Sequence, residues 1–251
     1  MITVEGLTKS FGDEVVLNDI SAEFYKGKTN LIIGESGSGK SVFLKCMLGL
    51  FERDAGKIVY DCEGLNEMTS ASQSKLREKM GMVFQHSALF DSMNVEENVI
   101  FPLTMFTKMT MEEKLERVNS VLKRVNLENV NKKMPSEISG GMQKRVAIAR
   151  AIVNYPEFLF CDEPNSGLDP KTAILIDNLI QEITHENNIT TVIISHDMNS
   201  VMEIGQTIIF LENSKLAWRG SNEDIFITDN QAVTNFVYSS NLFKKVRRLY
   251  V

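Results

Sequence analysis

An α/β fold built around a parallel sheet with helices on both faces is what this sequence predicts, and three observations predict it. The apolar runs Thr29–Ile33, Met80–Phe84, Phe158–Cys161 and Thr190–Ile194 have strand length, and they lack the polar alternation of a half-exposed sheet. The first runs straight into a glycine-rich stretch and then a helical pattern at Val42–Lys45. The third ends abruptly in the carboxylate pair Asp162-Glu163.

Taken in order, the segments Ile2–Leu7 and Lys57–Tyr60 alternate apolar and polar and suit an antiparallel flap beside the core. From about Asn94 to Asn131 the pattern turns helical. Leu115, Val118, Leu122 and Val125 recur at helical spacing, behind Met111-Glu112-Glu113-Lys114, which puts acid at a helix start. Pro135 precedes Ser139-Gly140-Gly141, where another helix is expected to begin and to run through Ala151. Thr207–Leu211 and Lys215–Trp218 read as a hairpin about Glu212-Asn213-Ser214. Beyond about Asn230 no core-strand pattern remains, and the chain ends in a basic cluster.

The chain has 251 residues, 43% of them hydrophobic, with a net charge of −6. That composition excludes a disordered polymer and a collagen-like repeat, and its acidity argues against non-specific nucleic-acid binding. Cys46, Cys62 and Cys161 are widely spaced among apolar neighbours, as expected of core thiols in a reducing compartment. No apolar run approaches the ~20 residues that span a bilayer. The start Met1-Ile2-Thr3-Val4-Glu5 lacks a signal-peptide pattern, so a location on the cytosolic side is expected.

Gly34-Glu35-Ser36-Gly37-Ser38-Gly39-Lys40-Ser41 fits the phosphate-loop pattern, after a strand and before a helix. The glycines let successive N–H groups turn toward a phosphate chain, Lys40 supplies a cation, and the Ser41 hydroxyl can hold Mg²⁺. Asp162, at a strand end, is placed to hold the same ion. Glu163, expected on the opposite side of the strand, could polarise a water. Ser139-Gly140-Gly141 makes a second anion nest, and one nucleotide has no use for two, so a site shared between chains is expected.

These motifs, in this order, resemble those of the ATP-binding-cassette ATPases, and the resemblance covers nearly the whole chain. Ile138-Ser139-Gly140-Gly141-Met142 is similar to the family signature, Gln85 to its lid glutamine, and Ser166-Gly167-Leu168-Asp169-Pro170 to its D-loop. Ser195-His196-Asp197 is similar to the switch histidine region, and Phe11 lies where the family stacks an aromatic on adenine. Two departures stand out. Met142 replaces the usual signature glutamine, with Gln143 one place later, and Phe11 replaces the common tyrosine.

The resemblance implies a phosphate-loop fold with a RecA-like core, an antiparallel β subdomain and a helical subdomain at about 90–150. One nucleotide-binding domain would span 1–240, followed by a basic tail at 241–251. It further implies a homodimer sandwiching two ATPs, with Glu163, His196 and Gln85 catalytic, Asp169 at the nucleotide and Gln85 also joining Ser41 and Asp162 around Mg²⁺. Separate permease chains, with accessory and substrate-binding subunits, would place it on the cytoplasmic face of the inner membrane. The Met142 signature, with Gln85–Phe90 and Glu97–Leu103, resembles the phospholipid-transport branch. The rivals are a polar-solute importer, such as one for amino acids, and an ATPase acting on ribosomes or DNA. In the tail, Leu242, Val246, Leu249 and Tyr250 fall on one helical face, opposite basic residues. A partner chain, an anionic leaflet and plain solvation all remain open for it.

Overall fold

The structure is a computed structural model that describes residues 1–61, 63–65 and 68–238. The first half of the chain forms β1 (Ile2–Phe11), β2 (Glu14–Phe24), β3 (Thr29–Ile33), α1 (Lys40–Met47), β4 (Ala55–Tyr60), β5 (Glu63–Gly64), α2 (Ser70–Glu78) and β6 (Met80–Val83). Next come α3 (Val95–Phe106), α4 (Met111–Arg124), a 3-10 turn at Pro135–Glu137, α5 (Gly140–Ile152), β7 (Phe158–Asp162) and α6 (Pro170–Glu186). The chain continues through β8 (Thr190–Ile194), α7 (Met198–Ile204), β9 (Thr207–Glu212), β10 (Lys215–Gly220), α8 (Asp224–Ile227) and α9 (Gln231–Val237). Described residues within 1–25, 29–66 and 194–251 form one compact unit, and those within 26–28 and 67–193 form a second.

The first unit holds the antiparallel flap, in strand order β2-β1-β4-β5, and the strands β10-β9-β3. Ile2, Val4 and Leu7 of β1 are buried, as the alternation requires, and Ile2 sits opposite Phe24 on one side and Tyr60 on the other. Gly56 lets the two backbones meet, because a Cβ there would lie 2.4 Å from the Gly6 carbonyl oxygen. All five residues of β3 are buried, and β9 runs parallel to it from Asn30↔Thr207. The expected hairpin is present with a tighter turn. Glu212 ends β9, and Asn213 and Ser214 both take positive φ, the two-residue turn that matches strand twist.

In the second unit the strand order is β8-β7-β6, with β7 and β6 parallel. Phe84, expected to close the second apolar run, lies past the end of β6 and is exposed. A Cβ on Gly81 would sit 2.3 Å from the Ala151 carbonyl oxygen, so only glycine lets α5 lie this close to β6. Capping boxes at Asn94/Glu97 and Thr110/Glu113 start α3 and α4. Val118, Val121 and Leu122 bury one face of α4, whereas Leu115, expected on that face, is half-buried. The long α6, unforeseen in the sequence, starts with Asp169 as N-cap and Pro170 at N1. No helix among the described residues is long and apolar enough to cross a membrane. Cys62 and the tail 241–251 lie outside the described residues.

Candidate nucleotide site

The phosphate-loop residues belong to the first unit. Three positive-φ glycines, Gly34, Gly37 and Gly39, curl the loop between β3 and α1. At Gly39, the N-cap of α1, a Cβ would meet the Val16 carbonyl oxygen at 2.8 Å, and no side chain caps the helix. The positive end of α1 is thus not neutralised by a capping side chain, which favours an anion there. The Ser38 hydroxyl is buried with no hydrogen-bond partner among the described residues, and Ser41, in the first turn of α1, is exposed. Lys40 is buried and its ammonium donates to the carbonyls of Gly34 (2.9 Å) and Glu35 (2.7 Å), across the loop. Glu35, Ser36 and Gly37 are exposed. An orphaned hydroxyl, an uncapped helix start and a cation bridging loop carbonyls together fit a polyphosphate. In the same unit Phe11 is 46% exposed, set edge-on to Phe51 at 5.4 Å with the Lys9 ammonium 5.3 Å from its ring centre. His196 follows β8 and is exposed.

The remaining site residues belong to the second unit. Asp162 ends β7, half-buried. Glu163 does not continue the strand as expected: its φ is 45°, left-handed, which turns the chain and decides where the carboxylate goes. Such a conformation costs a non-glycine residue about 1–2 kcal/mol and persists only where its surroundings hold it. Here the Ser166 N–H donates to the Glu163 carbonyl (3.1 Å), and the Gln85 amide donates to its carboxylate (2.8 Å). Gln85 and Glu163, far apart in sequence, are thereby brought together, and the Gln85 amide oxygen is the atom a cation would take. No group of three or more His, Cys, Asp or Glu among the described residues is placed to hold a metal alone. Within this unit the Gln85 amide oxygen and the Asp162 carboxylate are donors of the kind Mg²⁺ takes alongside phosphate oxygens and waters.

Ser139 caps α5, accepting from the Met142 N–H at 3.3 Å, which leaves its O–H to donate outward. Ser139 and Gly140 are exposed, and a Cβ on Gly140 would meet nothing within 4 Å, whereas Gly141 packs against Thr172. The displaced Gln143 has its own task, donating to the Pro135 carbonyl at 2.9 Å and tying the preceding turn to the helix. Asp169 caps α6 through the Thr172 N–H (3.1 Å), and hydrogen bonding from the Thr172 side chain, then from that N–H, holds its carboxyl below the ordinary range.

Two cations of α5 were not singled out in the sequence. Lys144 donates to the Gln85 carbonyl, and Arg150 donates to the carbonyls of Ser87 (2.8 Å) and Ala88 (2.7 Å). Both are buried, and burial lowers both pKa values. For Lys144 the nearby Cys161, Glu163 and Asp162 oppose that shift. Ser87 and Ala88 take successive positive φ of 62° and 45°, so the guanidinium clamps a strained stretch of loop. The available signal was the apolar run Val146–Ala149, which sets Arg150 apart from Lys144 and Arg145 on the same helix.

Fold and loop together define a phosphate-loop ATPase. The chain belongs to the ABC transporter family, whose model matches residues 17–166. It is 38% identical to the methionine import ATP-binding protein MetN of Campylobacter jejuni, over 96% of this chain and 76% of that protein. It is 37% identical to a probable ribonucleotide transport ATP-binding protein, mkl, of Mycobacterium leprae, over 94% of this chain and 68% of the other. Among solved structures, the dimeric ATP-binding cassette MJ0796, in a post-hydrolysis state with ADP and Pi, superposes with a TM-score of 0.80. The identity is 32%, covering 88% of this chain and 99% of that one. The structure of cbiO1 from Clostridium perfringens, part of the transporter complex cbiONQ, superposes with a TM-score of 0.84. Its identity is 28%, over 99% of this chain and 98% of that one. The chain is an ATP-binding, ATP-hydrolysing subunit of an ABC transporter.

Proposed function

We propose that two copies of this chain close on ATP, the Gly34–Ser41 loop of one facing Ser139 and Gly140 of the other. The exposed, spatially unconstrained Gly140 supports this, since nothing among the described residues requires a glycine there. Lys40 and the uncapped start of α1 neutralise phosphate charge, and Phe11 stacks on the adenine. Glu163 takes a proton from the attacking water, His196 contacts the γ-phosphate, and Asp169 lies at the shared edge. Ser41, Gln85 and Asp162 would hold Mg²⁺, which would supply charge neutralisation at the phosphates. Positioning and electrostatics provide most of the acceleration.

The observation that carries the hydrolytic reading is the Glu163 carboxylate, turned out of β7 and held at 2.8 Å by Gln85. The test is Glu163→Gln. ATP affinity is retained, hydrolysis falls at least ~100-fold, and the protein accumulates as an ATP-bound dimer. Hydrolysis near the wild-type rate removes Glu163 from the role.

A groove of about 490 Å³ in the second unit, lined by Met80, Phe84, Phe90, Phe101, Pro102 and Phe106, suits an apolar helix of a permease. That partner would hold the chain at the cytoplasmic face of the membrane. For the cargo, the methionine-import relatives favour a small polar solute of the amino-acid class. A phospholipid is the second reading, favoured by Met142 in the signature. Mass spectrometry of molecules retained by the detergent-extracted complex, with ATPase stimulation by each, separates the two. Stimulation by amino acids and not by phospholipid supports the first, and the reverse supports the second.

A further inference from the structure

Two cations of the signature helix α5, Lys144 and Arg150, fasten the loop after β6. Lys144, in the second turn of α5, donates to the carbonyl of Gln85, the residue whose side-chain amide faces Glu163. Two turns further along the same helix, Arg150 grips the carbonyls of Ser87 and Ala88 with two separate nitrogens. The loop between those contacts runs through consecutive left-handed residues, a conformation that these side chains do not choose unaided. Ser139, at the head of the helix, is exposed. One rigid rod therefore connects a surface-exposed cap with the backbone of the residue that holds the carboxylate.

We propose that Lys144 and Arg150 are positioning residues that fix the Gln85–Ala88 backbone to α5, so that Glu163 is correctly held only when the signature helix stands in its seated position. Engagement of Ser139 would thus be read out at Glu163 through a helix and two cation–carbonyl contacts. Lys144 suits this task because its long stem reaches a loop carbonyl while the ammonium stays hydrogen-bonded, and Arg150 suits it because a planar fork can grip two carbonyls at once. The inference rests on the proposed role of Glu163, and its test separates the two.

Steady-state ATP turnover of the full chain is measured for Lys144→Met and Arg150→Met, each with and without Gln85→Ala. Losing a charge-assisted hydrogen bond that positions the reacting groups lowers kcat by about tenfold. KM for ATP stays within about twofold, because the phosphate loop is untouched. In the Gln85→Ala background each substitution costs less than about twofold, since the path to Glu163 is already cut. Lys144→Arg, which keeps donor and charge, restores turnover to within about threefold of wild type. Losses that multiply with Gln85→Ala, or a rise in KM at constant kcat, overturn the coupling. Where a methionine variant does not fold, Lys144→Gln and Arg150→Gln, which remove the charge, enter the same cycles with the same two outcomes. If Glu163→Gln turns over normally the base assignment itself fails, whereas multiplicative losses leave that assignment standing and remove only the coupling.

Discussion

Asn98→Ala is expected to destabilise the protein more than its single amide suggests. Asn98, on α3, is fully buried, and its side-chain oxygen accepts from the Phe90 N–H at 2.8 Å. Its amide nitrogen faces the carbonyls of Phe90 (3.1 Å), Met93 (2.9 Å) and Asn94 (3.1 Å). Two of those carbonyls have another donor, since the Met93 N–H reaches Phe90 and the Asn98 N–H reaches Asn94. Truncation therefore strands chiefly the Phe90 N–H and the Met93 carbonyl. At about 1–1.5 kcal/mol for each buried group left unpaired, the cost is about 2–3 kcal/mol. For a chain of this size each kcal/mol moves the melting midpoint by about 2–4 °C, so calorimetry should record a fall of about 4–12 °C. Asn94→Ala is the control: it removes the cap of the same helix at its solvent end, worth about 1 kcal/mol, and shifts the midpoint by about 2–4 °C. An Asn98→Ala midpoint no lower than that of Asn94→Ala would refute the reasoning, because water or a relaxed loop would then have satisfied both groups.

Lys40→Ala should weaken ATP binding at least ~10-fold in calorimetry and abolish turnover, because the phosphates lose their nearest cation; unchanged affinity counts against the phosphate-loop assignment. Mixing Lys40→Ala chains with Ser139→Arg chains should give heterodimers with one intact composite site that traps nucleotide, which neither variant does alone. Trapping that is absent from the mixture argues against the shared site. Burial pushes the Cys46 thiol up to about 11 and raises the buried Cys161 thiol further, so at neutral pH neither is more than marginally thiolate in the folded chain. Iodoacetamide mapping at pH 7.5 should find both unmodified until denaturant is added, and rapid native labelling of either would show that its burial is transient.

Much of this protein was legible locally. The phosphate loop, the β7 carboxylates and the signature turn each depend on a few consecutive residues whose conformational preferences are intrinsic: glycine for left-handed backbone, serine for a helix cap, continuous apolar runs for a doubly covered strand. Family membership followed from their order. The hairpin was visible too, though its turn shortened, because the pairing of β9 with β10 claims Glu212 for the strand. Other features were settled only in three dimensions. Alternation along β7 put Glu163 on the far side of the strand, but the chain leaves the sheet at Asp162 and a positive φ sends the carboxylate to Gln85, a neighbour that sequence distance conceals. Lys144 and Arg150 read as ordinary helix cations, because a cation's partner here is a loop carbonyl, and every residue in the chain except its neighbours could have supplied one. Periodicity and motif are properties of short stretches and are encoded where they act. Which backbone oxygen a buried charge meets depends on how distant elements pack, and only the assembled fold decides that.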